Sequence, residues 1–444
     1  MFKMSVVGLS AAVRVIENCV LFGRDVAKMG ALMITISASI TNFARRIDSI
    51  FFYLSMCFSL AFNPISCLLL GLGLLFALIF AVWHWSRTAR LKRQLRYEDE
   101  RDYAEELQPV SVIVYACNDA DWLSRFLPMM LEQDYPEFEV IVVNDGSTDG
   151  TRDLLSDMKT GYPHLHVTFT PMETRGLSRK KLALMIGMKA AKYDVVLTTN
   201  ANCRAMSPNW LATMMRNFTP EVGVVIGYSH YRYAKDKGLG RGYRVFDTVT
   251  VASQYLNSAI KGRPYRGTCD NLAYRKKLFF DNNGFSKSMD LRWGDDDVFL
   301  SEIATRTNTR VEIAPESQLV AYYGNVASAH KELKLRRDFT SRFVRRTPFV
   351  VQGLMSLVNY MQIGALAAAV AFDCHNAFVL IAAVAILLLS WLSLMISFNH
   401  SGRVLQAPGL VLSPVYALWR PVVNFVYKLR GQRSKSSNYT SMLG

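Results

Sequence analysis

Val140-Ile141-Val142-Val143-Asn144-Asp145-Gly146-Ser147-Thr148-Asp149-Gly150 sets four apolar, mostly β-branched residues directly before a loop of turn formers. Branched side chains fit a pleated strand and Asn, Asp and Gly stop it, so the stretch predicts a buried strand ending in a loop. Upstream, a helical stretch separates it from a similar apolar run at 110–114. Strand, helix, strand in that order predicts a right-handed βαβ unit of a parallel sheet. Downstream, 195–199 predicts a third strand running into Asn200-Ala201-Asn202-Cys203, and 222–227 a fourth, after a helix beginning near Pro208. Ligands of open α/β sheets bind beyond the carboxyl ends of the strands. Three strand ends that carry polar residues therefore point to a site, with solvated loops as the alternative.

Outside this region the chain changes character. Its 444 residues exceed a usual single domain, and 51% apolar content is more than a soluble enzyme needs. Residues 65–85 are uncharged over a length that crosses a bilayer as a helix, and Arg87, Arg90, Lys92, Arg93 and Arg96 follow at once. A buried core helix is the alternative, but such helices keep a polar face. Two further apolar runs, 351–372 and 377–398, are separated only by Asp373-Cys374-His375-Asn376, as in a membrane hairpin. Arg403, Lys428, Arg430, Arg433 and Lys435 lie beyond it. Basic residues collect on the cytoplasmic side, so both flanks predict a cytoplasmic domain held at the inner membrane of a bacterium. Between 405 and 426, Pro408, Pro414, Arg420 and Pro421 predict a pair of interfacial helices rather than another crossing. Residues 1–49 fit a surface-lying helix, a second weak span, or a start placed upstream of Met56. The division is then 1–49; 50–107; 108–346; 347–398; and 399–444.

The formal charge of +15 raises nucleic-acid binding, but the basic residues cluster beside apolar runs, which suits anionic membrane lipids and topology instead. Seven scattered cysteines with no C-x-x-C pair and no histidine at ligand spacing read as small buried hydrophobes, not as structural zinc or disulfides. A transporter is disfavoured because the apolar spans lack charges and most of the chain lies outside them.

The order Pro109-Val110-Ser111-Val112-Ile113-Val114, then Asn144-Asp145-Gly146-Ser147, then Gly267-Thr268-Cys269-Asp270-Asn271-Leu272-Ala273-Tyr274-Arg275, then Gly294-Asp295-Asp296-Asp297 resembles family 2 glycosyltransferases over about residues 109–346. That resemblance implies an α/β GT-A fold, Rossmann-like with a mostly parallel sheet and flanking transmembrane helices. It also implies a nucleotide-diphosphate sugar donor, Mg²⁺ or Mn²⁺, and transfer with inversion to a lipid-linked or cell-envelope glycan acceptor. Inversion requires a carboxylate to take the acceptor's proton. The Gly294-Asp295-Asp296-Asp297 segment matches the family's Gly-Glu-Asp, which makes Asp296 the expected base and Asp295 its neighbour. Three adjacent carboxylates also repel one another, raising a pKa. The other reading is a helix N-terminus, where acidic residues are favoured by the dipole.

By the same resemblance Asp119 and Asp145 contact the nucleotide, with turn stabilisation the alternative for Asp145. Lys180 matches the Lys of the family's Gly-Lys-x-x-Ala-Leu helix start and faces the sugar nucleotide, or is merely solvated. Asn271, Arg336 and Arg337 are expected at the diphosphate or acceptor; a lipid-facing amphipathic helix is the alternative for the two arginines. Two departures matter. The family's Asp-x-Asp reads Asn200-Ala201-Asn202 here, so Asn200 and Asn202 are expected at the donor and Asn202 is a weak metal candidate, because neutral amides hold a hard dication poorly. The Gln-x-x-Arg-Trp of processive relatives is absent. These departures keep open a second reading, a weak or inactive homologue that binds nucleotide sugar or glycan as a partner subunit.

Overall fold

The computed structural model describes residues 63–96, 101–171, 177–233 and 239–433, with scattered helical positions between 35 and 46. Most of the 1–49 segment thus lies outside the described residues. A long helix, α1 (Pro64–Arg96), precedes β1 (Val110–Ala116), α2 (Ala120–Leu131), β2 (Phe138–Asn144), α3 (Thr151–Gly161), β3 (Leu165–Phe169), α4 (Arg179–Ala190) and β4 (Val195–Asn200). Then come β5 (Cys203–Ala205), α5 (Trp210–Met215), β6 (Val224–Ile226), β7 (Ser229–Tyr233), α6 (Leu239–Ile260), β8 (Leu272–Arg275) and α7 (Lys276–Asp281). The chain continues through α8 (Asp297–Ile303), β9 (Thr309–Val311), β10 (Leu319–Tyr323), α9 (Val326–Thr340), α10 (Thr347–Phe372), α11 (Ala377–Val404) and α12 (Ser413–Arg433).

Seven strands form one sheet in the order β3-β2-β1-β4-β8-β6-β9, and β5-β10-β7 form a second. The first four strands are parallel, with Ala116 opposite Asn144 and Tyr115 opposite Asn200. Their carboxyl ends therefore share one edge, the edge the sequence marks as polar. Strand β8 breaks the pattern by running antiparallel to both β4 and β6. Three strands of the larger sheet escaped the periodicity: β3 buries only Leu165 completely, and β8 and β9 are only four and three residues long.

Both faces of β1 are covered. Val112 and Val114 join Leu123, Leu127 and Trp210 on one side, while Ile113 joins Ile141, Val143, Ala183 and Leu184 on the other. Double burial explains why these strands read as continuous apolar runs. Truncating such a residue to Ala costs about 2–5 kcal/mol. Helix α4 comes unusually close, since a Cβ on Gly187 would stand 2.6 Å from Ile113 Cγ2.

The chain separates into two compact units, residues 1–70 with 367–384 and residues 71–366 with 385–444. In the smaller one, Asn376 closes the turn between α10 and α11, its Oδ1 accepting from the Phe378 amide at 3.0 Å. Helices α1, α10 and α11 are long and apolar enough to cross a membrane. In the larger unit, Thr88 Oγ1 of α1 lies 2.7 Å from Ser401 Oγ of α11, and Gln94 Nε2 donates to the Val311 carbonyl of β9 at 2.7 Å. The 405–426 region departs from expectation: α12 is one continuous helix that includes Pro421, not a pair. Proline in a helix interior forfeits one backbone hydrogen bond. Tertiary contacts retain the helix, among them Arg420 Nε to Asp247 at 2.9 Å and Lys334 Nζ to Asn424 Oδ1 at 2.7 Å.

Candidate active site

Beyond the shared strand edge lies a cleft of about 240 Å³ whose walls include Tyr115, Asp119, Asn200, Asn202, Asp270 and Asp296. Lys180, Arg266, Asp297, Arg336 and Arg337 complete its charged lining. Asp119 follows β1 at the N-terminus of α2, and its Oδ2 accepts from the Cys117 amide at 2.9 Å. Burial raises its carboxyl above the usual range.

The acidic segment enters through Gly294, whose φ of 103° and a would-be Cβ 2.7 Å from Val298 Cγ2 leave room only for glycine. Asp296 then caps α8, with Oδ1 accepting from the Asp297 amide at 2.7 Å and Oδ2 from the Cys269 amide at 3.4 Å. The two sequence readings of this segment thus hold together, because Asp296 both caps a helix and faces the cleft. Asp295 points inward, with Arg336 Nη2 at 3.0 Å and Lys180 Nζ at 3.1 Å. Burial opposes its charge, yet Arg336 and Lys180 hold its carboxyl well below the usual range. Arg336 also reaches Asp296 Oδ2 at 2.6 Å. Asp297 receives Arg266 Nη2 at 3.1 Å and the Thr340 hydroxyl. Burial, then Asp296, push its carboxyl up, so the elevated acid of the triplet is Asp297.

Besides Asp295, two expected residues lie outside the cleft lining, and a third, Arg337, lines it with its charge paired elsewhere. Asn271 is fully buried: its amide donates to the Tyr228 and Ser317 carbonyls at 3.1 and 2.8 Å and its oxygen accepts from Trp210 Nε1 at 3.2 Å. Its polar atoms are committed to the fold, so the expected diphosphate or acceptor contact is corrected to a structural one. Asp145 is buried behind the cleft, accepting from Tyr115 OH at 2.9 Å, Thr170 Oγ1 at 2.6 Å and Arg179 Nη2 at 2.7 Å. Those partners are side chains of neighbouring segments, not the amides of its own loop. Arg336 and Arg337 diverge, since consecutive helical residues lie about 100° apart: Arg336 meets the acids, whereas Arg337 Nη1 lies 3.5 Å from Asp247 of α6.

Two residues were not singled out from the sequence. Lys181 is fully buried, and its ammonium donates to the carbonyls of Ser288, Leu291 at 3.1 Å and Trp293 at 3.0 Å. It pins the loop that leads into Gly294. Desolvation lowers its pKa to about 8 against the pull of Asp295. Its signal was its place on the apolar stripe with Leu184 and Met188. Asp270, within the Gly267–Arg275 motif, accepts from Asn200 Nδ2 at 2.5 Å, and burial raises its carboxyl.

A dication needs several oxygen, nitrogen or sulfur ligands around one point. Asn200 donates from Nδ2 to Asp270 and Asn202 from Nδ2 to the Tyr322 carbonyl at 2.8 Å, so this motif itself offers a dication only two neutral amide oxygens. Among the described residues no group of three or more His, Cys, Asp or Glu converges to hold one. The side chains at the Asn200-Ala201-Asn202 position therefore do not fit a tightly held metal.

Comparison with known proteins agrees with this architecture. A poly-β-1,6-N-acetyl-D-glucosamine synthase of Staphylococcus aureus is 29% identical over 239 residues, 52% of this chain and 54% of its own length. Its counterpart in Staphylococcus epidermidis is 28% identical over 131 residues, 29% of this chain and 30% of its own. The chain thus spans about half the length of the first of these relatives, and less of the second. In fold it is similar to a mannosyltransferase of Pyrobaculum calidifontis solved with GDP-Man and Mn²⁺, at 19% identity and a TM-score of 0.50, covering 80% of this chain and 99% of that one. The family model described as glycosyl transferase family 2 matches residues 111–281, the segment that builds β1 to β8.

Proposed function

We propose that the protein is a membrane-bound glycosyltransferase that moves a sugar, with inversion, from a nucleoside-diphosphate donor to the hydroxyl of a lipid-linked or cell-envelope glycan acceptor. The observation that carries this reading is Asp296, a carboxylate fixed at a helix N-cap on the cleft wall with Arg336 at 2.6 Å and Lys180 in the same lining. In this reading Asp296 takes the acceptor proton as the hydroxyl attacks the anomeric carbon. Lys180 and Arg336 face the diphosphate and offset the charge that develops as it departs. Because the metal position does not fit a dication, no step is assigned to Mg²⁺ or Mn²⁺. Asp119, Asn200 and Asn202 line the donor side, offering acceptors and amides to base, ribose or sugar hydroxyls. Three membrane-length helices and the basic run after residue 85 support placing the domain at the cytoplasmic face of an inner membrane.

The Asn200-Ala201-Asn202 loop favours a second reading, a donor- or glycan-binding partner without turnover. Calorimetry of UDP and GDP on the full chain in detergent, with Mn²⁺ and then with EDTA, separates them when paired with a transfer assay. Metal-independent binding with turnover is expected. Binding without turnover supports the partner reading, and failure to bind either nucleotide removes the transferase proposal.

A further inference from the structure

A second cavity, larger than the cleft at about 790 Å³, lies among α6, α9, the first half of α10 and α12. Phe349, Gly353, Leu357 and Tyr360 fall on it at steps of four, four and three, so one face of the membrane-length helix α10 forms an apolar wall. Phe425 and Pro421 of α12 face it. Arg342, Arg346 and Lys428 stand exposed on the same lining, and Asp338, 3.8 Å from Arg342, is its sole carboxylate. Deeper in, Lys334, Arg337 and Arg420 share a single buried carboxylate, Asp247.

Seven basic side chains and one acidic one line a space whose remaining wall is mostly apolar, with Gln254, Gln352, Ser356 and Asn424 among its neutral polar members. Water or a free anion satisfies the cations but not the apolar face; an uncharged acyl chain does the reverse. A phosphate group attached to hydrocarbon satisfies both. We infer that this cavity binds one membrane lipid with an anionic phosphate head, the head at Arg342, Arg346 and Lys428 and the tail along Phe349, Leu357 and Phe425. The site adjoins the cleft, with which it shares Val251, Arg266 and Arg337, but its occupation requires neither donor nor acceptor.

Native mass spectrometry of the full chain in neutral detergent, titrated with dioleoyl phosphatidic acid, tests it. A single saturable adduct is expected, at least tenfold tighter than dioleoyl phosphatidylcholine and undisturbed by millimolar inorganic phosphate. The triple variant R342Q/R346Q/K428Q alters only exposed side chains and should weaken that adduct at least tenfold with an unchanged melting temperature. K92Q/R93Q, at the basic end of α1, should leave it intact. Equal binding of both lipids, displacement by free phosphate, an unaffected triple variant, or an equal loss in K92Q/R93Q each overturns the inference.

Discussion

Helix α9 carries side chains to two buried acidic centres that differ in purpose. At Asp247 one fully buried carboxylate meets Lys334 at 2.6 Å, Arg420 at 2.9 Å and Arg337 at 3.5 Å, tying α6, α9 and α12 together away from solvent. Burial opposes its charge, but Lys334, Arg420 and Arg337 hold it well below the usual carboxylate range. At Asp295, Asp296 and Asp297 the charges are matched: three carboxylates share three cations, Lys180, Arg336 and Arg266, and two of the acids line an open cleft. A surplus of cation around one acid fixes helices in place. Carboxylates matched one to one with cations and facing a cavity retain capacity for a proton and for a ligand.

The comparison breaks most visibly at the cleft. Asp296→Asn should lower sugar transfer about 10²–10⁴-fold, the usual contribution of a general base, while UDP or GDP affinity is kept. Transfer at the wild-type rate would take the base away from Asp296. Asp247→Asn should act on the fold instead, costing about 3–5 kcal/mol because three buried cations lose their shared anion. Thermal unfolding of the detergent-solubilised chain reads this loss, and an unchanged melting temperature would show that the centre is not structural.

Arg336→Gln should lower turnover about 10²-fold with a smaller change in donor binding, given its post between Asp295 and Asp296; Arg336→Lys should recover part of it. Asn200→Asp with Asn202→Asp should raise Mn²⁺ affinity about tenfold or more, as carboxylates replace amides. Calorimetric titration of Mn²⁺ onto the double variant decides it, and no gain would mean the loop does not face the cation position.

The smallest effect concerns Lys181. With a folded pKa lowered to about 8 from an ordinary 10.5, it binds fewer protons folded than unfolded between those values. Its contribution therefore makes folding more favourable as pH rises through that window. Lys181→Met should remove that slope, measured as melting temperature from pH 7.5 to 10.

How legible all this was depends on whether a signal is local. The βαβ opening, the polar strand ends, the membrane-length helices and the acidic segment at 294–297 were all readable, because branched apolar runs, turn formers and charge-free stretches act over a few neighbouring residues. Asp119, Lys180, Asn200, Asn202 and Asp296 were named from the sequence, and the fold collects them on one cleft. What stayed hidden was relational. That Asn271 spends its amide on Tyr228 and Ser317, that Asp145 is enclosed by Tyr115, Thr170 and Arg179, and that Arg336 and Arg337 part company are facts about distant segments meeting. Lys181 looked like one of three basic residues in a row until burial turned it toward three carbonyls. The sequence by itself determined where strands start and stop, which stretches suit a bilayer, and which residue types are present to do chemistry. Only the tertiary structure decided which charges become neighbours, since burial and pairing depend on three-dimensional approach, and no pattern along the chain encodes that distance.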